Sequence, residues 1–328
     1  MFPNSVAYYS IPRADFKPFP ARKGLVSTTV PKPSKVAGRS FMFLAGFLMG
    51  FVGLFISALG TPSYVTACLR GLFGSAFLTI FFIVRKNFHQ VNVIRLNWAA
   101  GGILAVSNAA TIFFYFTTIL IGGFAFGAFM LYTGGIFAVI FVRLILKERV
   151  RPLHYFAFGL ATMGVATIME FWSGVQLNMG IITGILSGIC LGANTLSKKM
   201  YYKTLDRRVG SLKQFPEVPM VLAWWSTLTL GIIFLIPTLF YFAESPFPNM
   251  GIVVLFGLIP TAIAFSSFNY GLRADRGGDV LILSYVEPVV ATALSAIVGQ
   301  NLSIFLLLGG AAIIGANILI LLTHSNSD

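Results

Sequence analysis

Glu287 is the residue whose position packing explains least. It falls about eight residues into the apolar stretch 279–298, roughly 12 Å along a helix at 1.5 Å per residue. A carboxylate at that depth in hydrocarbon costs about 2.5–3.5 kcal/mol, which implies a use. It could hold a cationic part of a solute or take up a proton during exchange. Pro288 follows it and has no N–H to give to the carbonyl of Ser284, so that oxygen is left for water or a ligand. The plainer reading is a kink with a structural carboxyl. Arg70 is a candidate counter-charge, though it lies nearer an outer face.

Other polar residues in apolar stretches fall on single helix faces. Asn108, Thr111, Tyr115 and Thr118 are spaced three, four and three apart. Ser266, Asn269, Tyr270 and Arg273 share a second face, Ser187, Cys190, Asn194 and Lys198 a third, and Ser284, Glu287, Ala291 and Ser295 a fourth. Such stripes either line a wet cavity or hydrogen-bond between helices. The candidate substrate-binding residues are Asn108, Thr111, Tyr115, Tyr132, Asn194, Ser266, Asn269, Ser284, Tyr285 and Glu287. None of this is a catalytic constellation. No Asp or His lies deep in an apolar stretch, Asp279 coming nearest at a stretch end, and His89, His154 and His324 lack metal-ligand spacing. No enzyme activity, metal or cofactor is expected.

The chain that must position these groups is 57% hydrophobic and 10% charged, against about 45–50% and 25% for a soluble domain. No water-facing exterior could accommodate that balance, and the expected surroundings are a lipid bilayer. The net charge of +13 does not point to nucleic acid, because the basic residues lie almost entirely between apolar segments. Cys68 and Cys190 fall inside apolar runs and read as small packing residues.

Ten apolar stretches near the ~20 residues needed to span hydrocarbon follow one another, at about 40–59, 64–84, 97–118, 123–146, 153–171, 178–198, 219–241, 250–272, 279–298 and 303–322. The division between the third and fourth is the least marked, since only Ile121-Gly122-Gly123 separates them. Residues 1–39 hold seven Lys/Arg and six prolines and read as a disordered cytoplasmic tail. With the segments after spans two, four, six and eight, and Lys198 at the very end of span six, the tail accounts for 21 of the 23 Lys/Arg, whereas the loops after spans one, three, five, seven and nine hold none. Basic segments stay inside, so both termini are expected in the cytoplasm, and the cell membrane is the expected location.

The apolar region divides into two five-span halves, 40–171 and 177–322, followed by a short tail at 323–328. Tyr132-Thr133-Gly134-Gly135 aligns with Tyr285-Val286-Glu287-Pro288 at an offset of 153, while Gly46 and Gly50 align with Gly184 and Gly188 at 138. The longer basic loop at 199–218 accounts for the difference. An odd number of spans per half inverts the second half, a design suited to opening one midplane site alternately to each side. Gly46, Gly50 and Gly53 in span one, and Gly180, Gly184, Gly188 and Gly192 in span six, read as close-packing surfaces, with those two spans as candidate partners.

The run Leu283-Ser284-Tyr285-Val286-Glu287-Pro288, then Gly299-Gln300-Asn301-Leu302-Ser303 and Gly309-Gly310-Ala311-Ala312-Ile313-Ile314-Gly315, resembles the end of the second repeat of the EamA-like family of the drug/metabolite transporter superfamily. Lys147-Glu148-Arg149-Val150-Arg151-Pro152 repeats the pattern in the first half, and Arg70-Gly71-Leu72 and Leu196-Ser197-Lys198-Lys199 resemble the family's span-two arginine and the basic end of span six. The resemblance implies an all-α polytopic membrane protein of ten transmembrane helices in two inverted repeats, exporting or exchanging metabolites. Two departures stand out: Gly134-Gly135 where the first repeat usually has a proline, and Gln300 in place of an acidic residue.

The expected function is alternating-access transport of a small organic metabolite, neutral or zwitterionic, such as an amino acid. An intramembrane enzyme or a channel is the alternative, and within transport a carrier of nucleotide sugars or other anions. Monomer and homodimer are both left open.

Overall fold

The structure, a computed structural model, describes residues 35–147, 152–168, 170, 178–209, 217–274 and 283–325. Among them every regular element is helical: α1 (Lys35–Gly50), α2 (Val52–Leu59), α3 (Ser63–Val84), α4 (Trp98–Gly122), α5 (Phe124–Tyr132), α6 (Gly134–Leu146), α7 (Pro152–Ile168), α8 (Met179–Val209), α9 (Val218–Ile233), α10 (Leu235–Glu244), α11 (Met250–Gly257), α12 (Ala264–Ala274), α13 (Val286–Ile297) and α14 (Ile304–Ser325). The expected tail at 1–39 lies outside the described residues up to position 34, and its last five residues already belong to α1.

Six helices are long and apolar enough to cross a bilayer: Val36–Leu59, Ser63–Val84, Trp98–Gly122, Phe124–Leu146, Met179–Thr204 and Met250–Phe268. The bent pair α9 and α10 makes a seventh, and Tyr155–Ile168, Leu283–Ile297 and Ile304–Leu319 are shorter apolar helices. The chain is thus an all-helical, multi-pass integral membrane protein. Its polarity is that of a lipid-solvated molecule. Ile80, Val84, Val106, Ile236, Phe240 and Ile297 are exposed, while Thr66, Thr118, Ser187, Ser197 and Ser295 are wholly buried. Most buried hydroxyls serve their own helix, as Thr111 does in donating to Ser107 O at 2.7 Å.

Helix interruptions have local causes. Gly123, at φ 90°, takes the backbone conformation that separates α4 from α5 without a charged loop. The 46° bend between α9 and α10 falls just before Pro237, which cannot donate to Ile233 O. Between α11 and α12, Leu258–Ile263 form a π turn around Pro260. The proline cannot bond Phe256 O, which accepts instead from the Thr261 hydroxyl at 3.1 Å. The break between α5 and α6 has no proline. There Ile136 N bonds Thr133 O, and the Asn317 amide takes up Tyr132 O at 2.9 Å. Gly135 makes room for that amide, since a Cβ there would overlap it. A glycine pair and an inserted side chain therefore do what a proline does in the resembling family.

The most extensive packing pairs α4 with α8, α7 with α14, α1 with α12, and α3 with α9. The glycine stripes pack as expected but on other partners than expected. Gly46 and Gly50 of α1 face Ser284 O and Val290, and Gly184 and Gly192 of α8 face Met130 and Phe137. The glycine seams of spans one and six therefore each meet a broken partner rather than each other.

A Cβ on Gly184 would stand 2.8 Å from Met130 Cβ, and one on Gly192 would stand 2.6 Å from Phe137 Cβ. Gly184→Leu is expected to overpack this seam and cost about 1–3 kcal/mol. Its thermal unfolding in detergent should come earlier than the parent's. Gly102→Leu, where a Cβ meets open space, should leave the midpoint in place. Equal melting of both variants would remove the stripe as a packing seam.

Candidate functional site

Glu287 sits in the first turn of α13, after the 3₁₀ turn Leu283–Tyr285, and is 8% exposed. A carboxylate suits a helix N-terminus, whose unpaired N–H groups present partial positive charge. Pro288 also fits a first turn, where its missing N–H would have had no intrahelical partner. The carbonyl of Ser284 is not left for water or ligand: it accepts from Tyr132 Oη at 3.1 Å.

Tyr132, the last residue of α5, also lies 3.1 Å from Glu287 Oε2, and Tyr115 Oη approaches Oε1 at 3.5 Å from α4. A phenol has one proton to give. Tyr132 therefore serves either the carbonyl or the carboxylate as donor, unless Glu287 itself carries a proton and donates to Tyr132 Oη. The ring of Tyr132 packs on that of Tyr285 at 4.9 Å. Beneath this group α1 approaches through Gly46 and Gly50, where any side chain would strike Ser284 O or Glu287 O. The sequence-derived candidates Tyr115, Tyr132, Ser284, Tyr285 and Glu287 thus gather at one place.

Arg70 of α3 is the basic residue of this region and is 4% exposed. Its Nε donates to Thr261 Oγ1 at 3.0 Å and its Nη2 to Pro260 O at 3.4 Å, both offered by the π turn. The rings of Phe116, Phe256 and Phe265 surround the guanidinium at 5.5, 5.3 and 5.8 Å from their centroids. Desolvated cation–π contacts supply about 2 kcal/mol or more each, set against several for removing the ion from water. The anticipated pairing with Glu287 is not a contact. No ion pair joins them, although each lies within electrostatic reach of the other, with Tyr115 acting on both. Sequence reasoning passed over the environment of Arg70, for which Pro260 in span eight was the available signal.

The remaining candidates sit elsewhere. Asn108 donates to Ser226 O at 3.0 Å and accepts from Asn194 at 3.3 Å, tying α4, α8 and α9 together. Thr111 bonds its own helix, and Ser266 lies 3.7 Å from Met220 Sδ. Asn269 has its side chain outside the described residues. Ser295 and Gln300 form a different junction, accepting from Ala125 N and Phe124 N at 3.0 Å and so capping α5. No group of three His, Cys, Asp or Glu that could hold an ion occurs among the described residues. A carboxylate, three phenols and a caged guanidinium suit the holding of charged and aromatic groups.

Comparisons with known proteins agree with this architecture. The chain is 27% identical over 279 residues to an uncharacterized transporter of Archaeoglobus fulgidus, covering 84% of this chain and 93% of the relative. It is 26% identical over 274 residues to the uncharacterized transporter YwfM of Bacillus subtilis, covering 80% and 86%. Over 210 residues it is 27% identical to the aromatic amino acid exporter YddG of Ancylobacter novellus, covering 61% and 70%. A protein of known crystal structure shares the fold at a TM-score of 0.57 and 21% identity, covering 87% of this chain and 98% of its own. The profile of the EamA-like transporter family matches twice, over residues 36–169 and 178–322, so the chain belongs to the EamA-like transporter family.

Proposed function

We propose that this transporter carries a small organic solute, neutral or zwitterionic, by alternating access at the Glu287 site. The observation that carries the reading is that one buried carboxylate is held by tyrosines of two other helices, Tyr115 and Tyr132, each from the other half of the chain. A group shared across two halves changes its surroundings whenever the halves move against each other. A carboxylate at the centre disfavours a polyanionic cargo. An amino acid fits it, and the likeness to an aromatic amino acid exporter supports that class.

Ten crossings in two inverted halves form part of the proposal. Seven long or paired helices and three short apolar ones supply ten segments in the order read from the sequence. Exchanging the halves maps the contact of α4 with α8 onto that of α1 with α12. It also maps α6 with α8 onto α1 with α13, while α3 with α9 and α7 with α14 map onto themselves. Tyr132 and Tyr285, equivalent under the exchange, pack on each other, as residues beside a two-fold axis do. Both termini are placed in the cytoplasm, and the cell membrane is the proposed location.

Glu287→Gln keeps shape and removes charge. Flux of the transported solute in proteoliposomes should fall at least ~10-fold, equal to about 1.4 kcal/mol, with folding retained. Undiminished flux would reduce Glu287 to a structural role. For topology, Lys203→Cys and Asn249→Cys can be made in a background with Cys68 and Cys190 replaced by alanine. In intact cells an impermeant thiol reagent should label position 249 and spare position 203; the reverse pattern would invert the proposed orientation.

A further inference from the structure

The guanidinium of Arg70 has an end that the protein leaves unused. Nε and Nη2 are held by Thr261 and Pro260, and Nη1 has no hydrogen-bond partner. Among the described residues, Thr238 Oγ1 is the one side-chain polar atom that is both enclosed and unpartnered. Nη1 is therefore not fully enclosed by the protein. The two bonds that Arg70 does make fix the plane of the guanidinium, so its free N–H groups are presented in a set direction. The aromatic cage offers no anion to neutralise it.

Glu287 has the opposite charge and the same predicament. Its oxygens meet phenols, and it forms no ion pair. Tyr115 links the two groups: its Oη is 3.5 Å from Glu287 Oε1, and its ring neighbours that of Phe116, 5.9 Å away, over which the Arg70 guanidinium sits at 5.5 Å. Two buried, opposite, fully ionisable groups kept apart while each is within the other's field make a receptor for a molecule carrying both complementary charges. Resting on the carrier reading above, we infer that Arg70 is the carboxylate subsite of an α-amino acid whose ammonium group is held by Glu287. The cargo binds as a zwitterion laid across Tyr115, and its side chain meets the rings of the Arg70 cage and of Tyr132 and Tyr285. An amine alone leaves Arg70 buried and unpaired, and an acid alone leaves Glu287 so, and sites built on paired polar groups reject analogues that lack one of them.

The test is a titration of the purified full-length protein, followed by thermal shift, with L-phenylalanine, phenethylamine and 3-phenylpropionate. The parent is expected to bind the amino acid at least about 10-fold more tightly than either analogue. In Arg70→Gln the amine should bind as well as the amino acid, and in Glu287→Gln the acid should. Parent protein that binds phenethylamine as tightly as phenylalanine would overturn the Arg70 subsite and leave the carrier reading standing. Equal weakening of amino acid and amine by Arg70→Gln would also overturn it, assigning Arg70 to the π turn alone. Failure of the parent to bind any of the three would remove the amino-acid class itself. If Arg70→Gln does not fold, the ratio measured on the parent decides.

Discussion

Hydrocarbon offers a freed backbone group no water, so each interruption of a membrane helix has to be answered from elsewhere in the protein. Several interruptions in this chain are answered by side chains. Asn317 takes the carbonyl of Tyr132, Thr261 that of Phe256, Arg70 that of Pro260, and Tyr132 that of Ser284. At the start of α5, Gln300 and Ser295 accept the N–H groups of Phe124 and Ala125. Nearly all of these repairs run between segments distant in sequence. They do the joining that the smooth glycine contacts, which have shape but no polarity, cannot do alone.

The site grows from those repairs. Tyr132 Oη stands 3.1 Å from both the Ser284 carbonyl and Glu287 Oε2, and Arg70 is oriented because two of its nitrogens bond the π turn. Side chains held in this way need few further supports. Glu287 gains from its place at a helix start, where the backbone offsets part of the cost of a buried charge. Breaks in the helices and residues of the candidate site therefore coincide for one reason: the same freed polar groups that demand partners also gather polar side chains where otherwise only apolar ones would lie.

Much of this was legible in the sequence. Apolar length marks the helical segments, and Lys/Arg residues punctuate the ends of spans two, four, six and eight, whereas no charge separates α4 from α5. The offset equates Tyr132 with Tyr285, whose rings pack on each other, and a lone deep carboxylate singles out the candidate site. What periodicity cannot supply is the partner. It places Asn108, Thr111 and Tyr115 on one face, but only packing decides that Asn108 serves Ser226 O, that Thr111 turns back on its own helix, and that Tyr115 turns to Glu287. For the same reason the glycine stripes of α1 and α8 announced close neighbours without naming them. The break at Thr133 was hidden because its cause, Asn317, lies 184 residues further on.

The π turn at Leu258–Ile263 holds one more residue than an α turn would need. Each residue advances a helix by about 100°, so α12 leaves this turn at an azimuth that α11 by itself does not dictate. Ser266 and Tyr270 point where they do because of that extra residue. Chain length inside this span is thus a coordinate of the protein as much as composition is. Deleting one residue between 258 and 263 would turn the remainder of the helix by about 100°, changing which side chains it offers to α1, while its hydropathy stayed almost unchanged.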